Sequence, residues 1–114
     1  MTTIYHNPRC SKSRQTLALL EAHGLEPVIV RYLETPPSAD ELDVICTKLG
    51  KEPQAIVRRK EARFKELGLG EGERSRQGWL QVLSENPVLI ERPIVVVGDK
   101  AALGRPPEDV LAIL

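Results

Sequence analysis

Thr2-Thr3-Ile4-Tyr5-His6-Asn7-Pro8-Arg9-Cys10-Ser11-Lys12-Ser13 runs from a short β-branched and aromatic strand, through a break at Asn7-Pro8, into the start of a helix. The break sets Cys10 at the junction. At such a junction the unpaired backbone N–H groups and the helix dipole stabilise negative charge, so a thiol placed there tends to ionise and becomes nucleophilic. Cys10 is the candidate nucleophile on capping physics alone.

Working outward, Ser11 to His23 reads as a helix with Leu17, Leu20 and Ala22 on its apolar side and Gly24 as a left-handed stop. Pro27-Val28-Ile29-Val30-Arg31-Tyr32 is a second strand, completing a β-α-β unit whose strands are expected to be parallel. Thr35-Pro36-Pro37 interrupts the pattern. Ser38-x-x-Glu41 is a capping box for a helix that carries Leu42, Ile45, Cys46 and Leu49 on one stripe and stops at Gly50. Beyond it no strand is expected before Glu85: Pro53 to Arg59, Ala62 to Leu67 and Gln77 to Glu85 read as helices, the last around Trp79, Leu80 and Leu83. After Asn86-Pro87, Ile94-Val95-Val96-Val97 is a β-branched strand, Gly98-Asp99 a two-residue turn and Lys100 to Leu103 the returning strand. A final helix is expected from Pro106-Pro107, with Val110, Leu111 and Leu114 as its buried stripe. The expected class is α/β, β-α-β followed by β-β-α. That is the thioredoxin-like arrangement, in one domain over residues 1–114 with a helical insertion at about 38–85.

Composition narrows the function classes. The 114 residues carry 16 Lys plus Arg against 16 Asp plus Glu and are 41% apolar, so there is no global field to draw nucleic acid. No apolar stretch approaches the ~20 residues of a membrane span, and no basic-then-apolar leader precedes Ile4, so a cytoplasmic protein is expected. Two cysteines do not make a disulfide scaffold. Cys46 falls on a helical stripe and reads as core, whereas the neighbours of Cys10 are polar, so burial is the weaker account of it. With His23 beside a helix end, no metal site is expected.

Three arginines stand out by position. Arg92 precedes Pro93 at the mouth of the β-branched strand, Arg105 precedes Pro106-Pro107 where the sheet gives way to the last helix, and Arg58 belongs to the helix with Ala55, Ile56 and Val57. Each has two readings. Arg92 is an internal ion pair or part of an oxyanion clamp, Arg105 a solvated loop residue or part of that clamp, and Arg58 a solvated helix residue or its third member. His6 either supports the Cys10 thiolate or ends the strand with its ring in solvent. Cys10-x-x-Ser13 has no second cysteine for an internal dithiol cycle, and Thr16 stands where a phosphatase loop C-x5-R would need arginine.

Ile4-Tyr5-His6-Asn7-Pro8-x-Cys10-x-x-Ser13-Arg14, Tyr32-Leu33-Glu34-x-Pro36-Pro37, Arg92-Pro93-Ile94-Val95-Val96 and Gly104-Arg105-Pro106 closely resemble the glutaredoxin-coupled arsenate reductases of the ArsC family, in its short, chromosomal-type branch. The resemblance spans essentially the whole chain. It implies a thioredoxin-like fold, Cys10 as the nucleophile toward arsenate, and Arg58, Arg92 and Arg105 as oxyanion-binding residues. It further implies that His6 lowers the Cys10 pKa, that Ser13 and Arg14 support the thiolate, and that the Arg92–Pro93 peptide is cis. No bound cofactor is implied, with glutathione as co-substrate and glutaredoxin as protein partner. The alternatives are a glutathione-dependent thiol oxidoreductase of the same fold and a redox-sensing regulator similar to the Spx transcriptional regulators. A second cysteine in place of Ser13 would favour the regulator.

Overall fold

Why the first thirty residues fold as they do is visible in their ends. In the computed structural model, which describes residues 1–114, β1 (Thr2–His6) leads through a turn closed by Cys10 N–H donating to the Asn7 carbonyl at 3.0 Å. Helix α1 (Ser11–Ala22) follows, with Cys10 as its extended N-cap. It ends in a Schellman motif: Leu25 N–H donates to the Leu20 carbonyl, Gly24 N–H to that of Glu21, and Gly24 takes a φ of 77°. Strand β2 (Val28–Arg31) then lies parallel to β1, with Ile4 opposite Ile29 and His6 opposite Arg31.

The sheet is completed from the other end of the chain. Strands β3 (Ile94–Val97) and β4 (Lys100–Leu103) form a hairpin about Gly98-Asp99, and β3 is antiparallel to β1, with Ile4 opposite Val95. The order β2-β1-β3-β4 leaves β2 and β4 as edges. Ile4 and Val95 bury themselves against Leu20 of α1 and Val110 of the last helical segment, all four fully inaccessible. Each such burial is worth roughly 1.5–3 kcal/mol. The result is the thioredoxin-like fold expected from the sequence.

Two helical expectations change here. The terminal segment Pro107–Ile113 is a 3-10 helix, and its buried side is Pro107 and Val110, with Ile113 half-buried, whereas Leu111 and Leu114 are exposed. At three residues per turn, positions i, i+3 and i+6 eclipse, so the stripe expected at 3.6 residues per turn holds at Val110 and fails at Leu111 and Leu114. In α1 the buried residues are Ser13, Thr16 and Leu20, while Leu17 is half-buried and Ala22 exposed. The helix buries two hydroxyls in place of apolar groups.

The chain divides into two compact units, residues 1–35 with 92–114, and residues 36–91. In the second, the Ser38–Glu41 capping box opens α2 (Ala39–Leu49) with Glu41 N–H to Ser38 Oγ at 3.1 Å and Ser38 N–H to the Glu41 carboxylate at 3.3 Å. Gly50, at φ 67°, closes it. Helices α3 (Ala62–Glu66) and α4 (Arg76–Glu85) follow, and Arg76 ties the unit together through Asp43 at 2.8 Å and Glu52 at 3.0 Å. The stretch from Pro53 is helical only to Ile56, as a 3-10 turn. Val57 instead forms an isolated antiparallel bridge with Ile90, flanked by Arg58 N–H to the Leu89 carbonyl and Glu91 N–H to that of Ile56, both 2.8 Å. A β-branched residue with a distant strand-like partner won over local helical pattern.

Candidate active site

Cys10 has 9% of its surface accessible and no side-chain capping bond of its own, so its sulfur is left facing the first turn of α1. Polar neighbours in sequence do not keep it exposed. Burial by itself pushes the thiol pKa up, but the Ser13 N–H, the charge of Arg92, the Lys12 N–H and a hydrogen bond from the Arg92 side chain outweigh it, and the net direction is down. The sulfur is an anion site built from a helix terminus and one guanidinium.

Three further groups hold that terminus in place. His6 Nδ1 and Ser13 Oγ share a 2.6 Å hydrogen bond, and Ser13 Oγ also accepts from the Asn7 N–H at 3.0 Å, joining the end of β1 to the first turn of α1. Arg14 Nη1 donates to the Pro8 carbonyl at 2.9 Å and so braces the loop from outside. The His6 ring is buried, with 5% accessible, which removes the reading that put it in solvent. Desolvation first, then the charges of Arg31 and Arg14, hold its pKa below the ordinary value, so near neutral pH the ring is uncharged. It contacts Ser13 as a neutral partner.

The Arg105 side chain reaches the backbone of Arg92. Both the Arg92–Pro93 and Arg105–Pro106 peptides are cis. Arg105 Nη1 donates to the Arg92 carbonyl at 3.0 Å, and Gly104 N–H donates to the Pro93 carbonyl at 3.0 Å. Gly104 is packed so closely against Thr16 and Pro93 that a Cβ there would lie 2.8 Å from Pro93 Cγ and closer still to Thr16 Oγ1. Thr16, a buried residue the sequence reading used only to exclude a phosphatase loop, is the surface of α1 that receives this loop.

Cys10, His6, Ser13, Arg14, Arg92 and Arg105 therefore all belong to the unit of residues 1–35 and 92–114. Arg58 belongs to the unit 36–91, just past the 3-10 turn, where its Nη1 donates to the Val88 carbonyl at 3.4 Å and pairs with Glu61. Cys46 is sealed at 0% accessibility, and desolvation pushes its pKa to about 11. Both cysteines are free thiols, and no group of three His, Cys, Asp or Glu is arranged to hold a metal ion. No helix is long and apolar enough to cross a membrane.

A cysteine at a helix N-terminus on a thioredoxin-like sheet, its thiol pKa drawn below the ordinary value, defines the class as a thiol-based one. Residues 5–113 match the model of the ArsC family, and the chain belongs to that family. It is 50% identical to an arsenate reductase of Haemophilus influenzae over 97% of each chain. An arsenate reductase of Escherichia coli is 43% identical over 98% of this chain and 79% of its own length. The solved arsenate reductase of Vibrio cholerae superposes with a TM-score of 0.95 at 52% identity, covering 99% of this chain and 97% of that one.

Proposed function

We propose that this protein reduces arsenate to arsenite, with Cys10 as nucleophile and with glutathione and glutaredoxin as reductants. The observation that carries the reading is the pairing of Cys10, shifted toward thiolate, with the Arg92 guanidinium that hydrogen-bonds to it. A nucleophile and an anion-binding group thus share one place, in a chain half identical to arsenate reductases.

The chemistry balances with two external thiols. Cys10 condenses with arsenate, forming an S–As bond and releasing water, while Arg92 and Arg105 offset the oxyanion charge. The thiolate of glutathione attacks the Cys10 sulfur; the S–As bond breaks with its electron pair passing to arsenic, which leaves as arsenite after taking a proton. Cys10 remains as a mixed disulfide with glutathione, and a glutaredoxin thiol takes the glutathione and frees Cys10. Ser13 cannot serve as an internal resolving thiol. His6, Ser13 and Arg14 act by holding the α1 terminus on which the thiolate depends. Arg58 is included as a third oxyanion ligand because its sequence position resembles the family's, and Arg58→Ala tests it. Two unpaired thiols and a glutathione-dependent cycle accord with a reducing, cytoplasmic setting.

The test is arsenite production from arsenate with glutathione and glutaredoxin each omitted in turn. The complete mixture is expected to give arsenite and each omission to abolish turnover. Cys10→Ser should be inactive while Cys46→Ser keeps most of the activity. No arsenite in the complete mixture, or equal losses in the two variants, overturns the reading.

A further inference from the structure

Beside the Cys10 loop lies a cleft of about 230 Å³ that the proposed arsenate chemistry leaves unused. One wall is Asn7, Pro8 and Arg9, the three residues leading to the nucleophile; the other is Arg31, Leu33 and Glu34, at the end of the edge strand β2. Register explains the juxtaposition, since Arg31 stands opposite His6 in the β1–β2 pair. Arg9 has no carboxylate within ion-pair distance, and Arg31 touches Glu34 only at 3.9 Å with both side chains more than half exposed. Neither guanidinium is committed to a strong internal partner, and exposed pairs of this kind are worth little.

The charges of the cleft are two guanidiniums, one carboxylate and an uncharged His6. Glutathione carries the complement: a carboxylate at each end, one α-ammonium, and its thiol in the middle. We propose that this cleft docks glutathione, with Arg9 and Arg31 taking its two carboxylates and Glu34 its ammonium group. Guanidiniums suit carboxylates because they present paired, fixed donors. A tripeptide held there lies along the Asn7–Arg9 loop, which leads directly into Cys10. This deepens the proposed function and rests on its assignment of glutathione as the thiol that meets Cys10, though not on arsenate being the substrate.

The experiment leaves arsenate out. Cys10 thiolate is mixed with oxidised glutathione, and formation of Cys10–S–S–glutathione with release of one glutathione thiolate is followed by mass; hydroxyethyl disulfide, uncharged, is the parallel probe. Arg9→Ala/Arg31→Ala is expected to slow the exchange with oxidised glutathione about tenfold at low salt, and that with hydroxyethyl disulfide by no more than about twofold. Glu34→Gln is expected to slow oxidised glutathione but not the disulfide of glutaryl-cysteinyl-glycine, which lacks the ammonium group. Equal slowing of the charged and uncharged probes would mean that the arginines act on the thiolate itself, and would overturn the docking; so would an unchanged rate with oxidised glutathione. Failure to make arsenite leaves these outcomes readable.

Discussion

Arg105 Nη1 lies 3.0 Å from the carbonyl oxygen of Arg92, so a side chain two residues past β4 holds the backbone two residues before β3. Two guanidiniums thirteen positions apart are thereby mechanically linked, and one of them hydrogen-bonds to the reactive sulfur. Arg105→Ala removes both a positive charge and the anchor of Arg92. Steady-state kinetics are expected to show a KM for arsenate raised by about tenfold, the size of one lost charge-assisted contact. Arg105→Lys should recover only part, because a point ammonium does not reproduce the fork of donors. A lysine variant equal to wild type would reduce the role of Arg105 to charge alone.

The two thiols should separate cleanly by pH. Cys10, which burial alone would push up, is held below the ordinary thiol value by the Ser13 N–H and Arg92, so its alkylation by iodoacetamide should have its midpoint below that of free cysteine. Arg92→Ala should move the midpoint upward. Cys46, with a pKa of about 11 and no accessible surface, should stay unmodified while the fold persists. Linkage gives opposite signs for stability. The Cys10 contribution is full above the unfolded thiol value and fades as pH falls through its lowered pKa; the Cys46 contribution is full below 9.0 and fades as pH climbs toward 11. Denaturation midpoints across that alkaline window should flatten in Cys46→Ala.

Ser13→Ala should cost roughly 1–3 kcal/mol in chemical denaturation, since the His6 ring and the Asn7 N–H both lose their partner in a buried place. The Cys10 alkylation midpoint should move less than in Arg92→Ala. Ser13 serves the sulfur through its backbone N–H, which alanine keeps. A larger shift for Ser13→Ala would mean that the hydroxyl, by fixing the helix start, governs the thiolate more than the guanidinium does.

Gly104→Ala introduces a Cβ against Thr16 and 2.8 Å from Pro93 Cγ. Thermal or chemical unfolding should show a loss of about 1–3 kcal/mol from overpacking. Thr16→Ala added to it should restore part of the loss, because the nearest clash disappears while that with Pro93 stays. Additive losses in the double variant would place the strain elsewhere.

What could be read in the sequence was whatever is decided locally. The Ser38–Glu41 capping box, the Gly24 and Gly50 stops and the Gly98-Asp99 turn depend on neighbours within a few residues, and each stands where the residue types put it. The parallel β1–β2 pair was readable from its β-α-β pattern, but an isolated pairing decided at a distance was not. Val57 bridges Ile90 because of a partner thirty-three positions away, and that took Arg58 off the helix assigned to it. The 3-10 geometry of Pro107–Ile113 changed which side is buried without changing which residues are apolar. At the site, Cys10 was legible from its place before a helix, but its burial was not. Arg9 is distant in sequence from Arg31 and Glu34, and it is the β1–β2 register that brings Arg31 level with His6.

Strand β2 lies at the sheet edge with Val28 and Ile29 about half exposed, a face that in a longer strand would invite other chains to join the ladder. It is only four residues long, Pro27 just before it has no N–H to offer, and Arg31 closes it with a charge. The same Arg31 that borders the cleft is thus a gatekeeper against sheet growth. Replacing it exposes an uncapped apolar edge, and a propensity to aggregate is the cost of losing that one side chain.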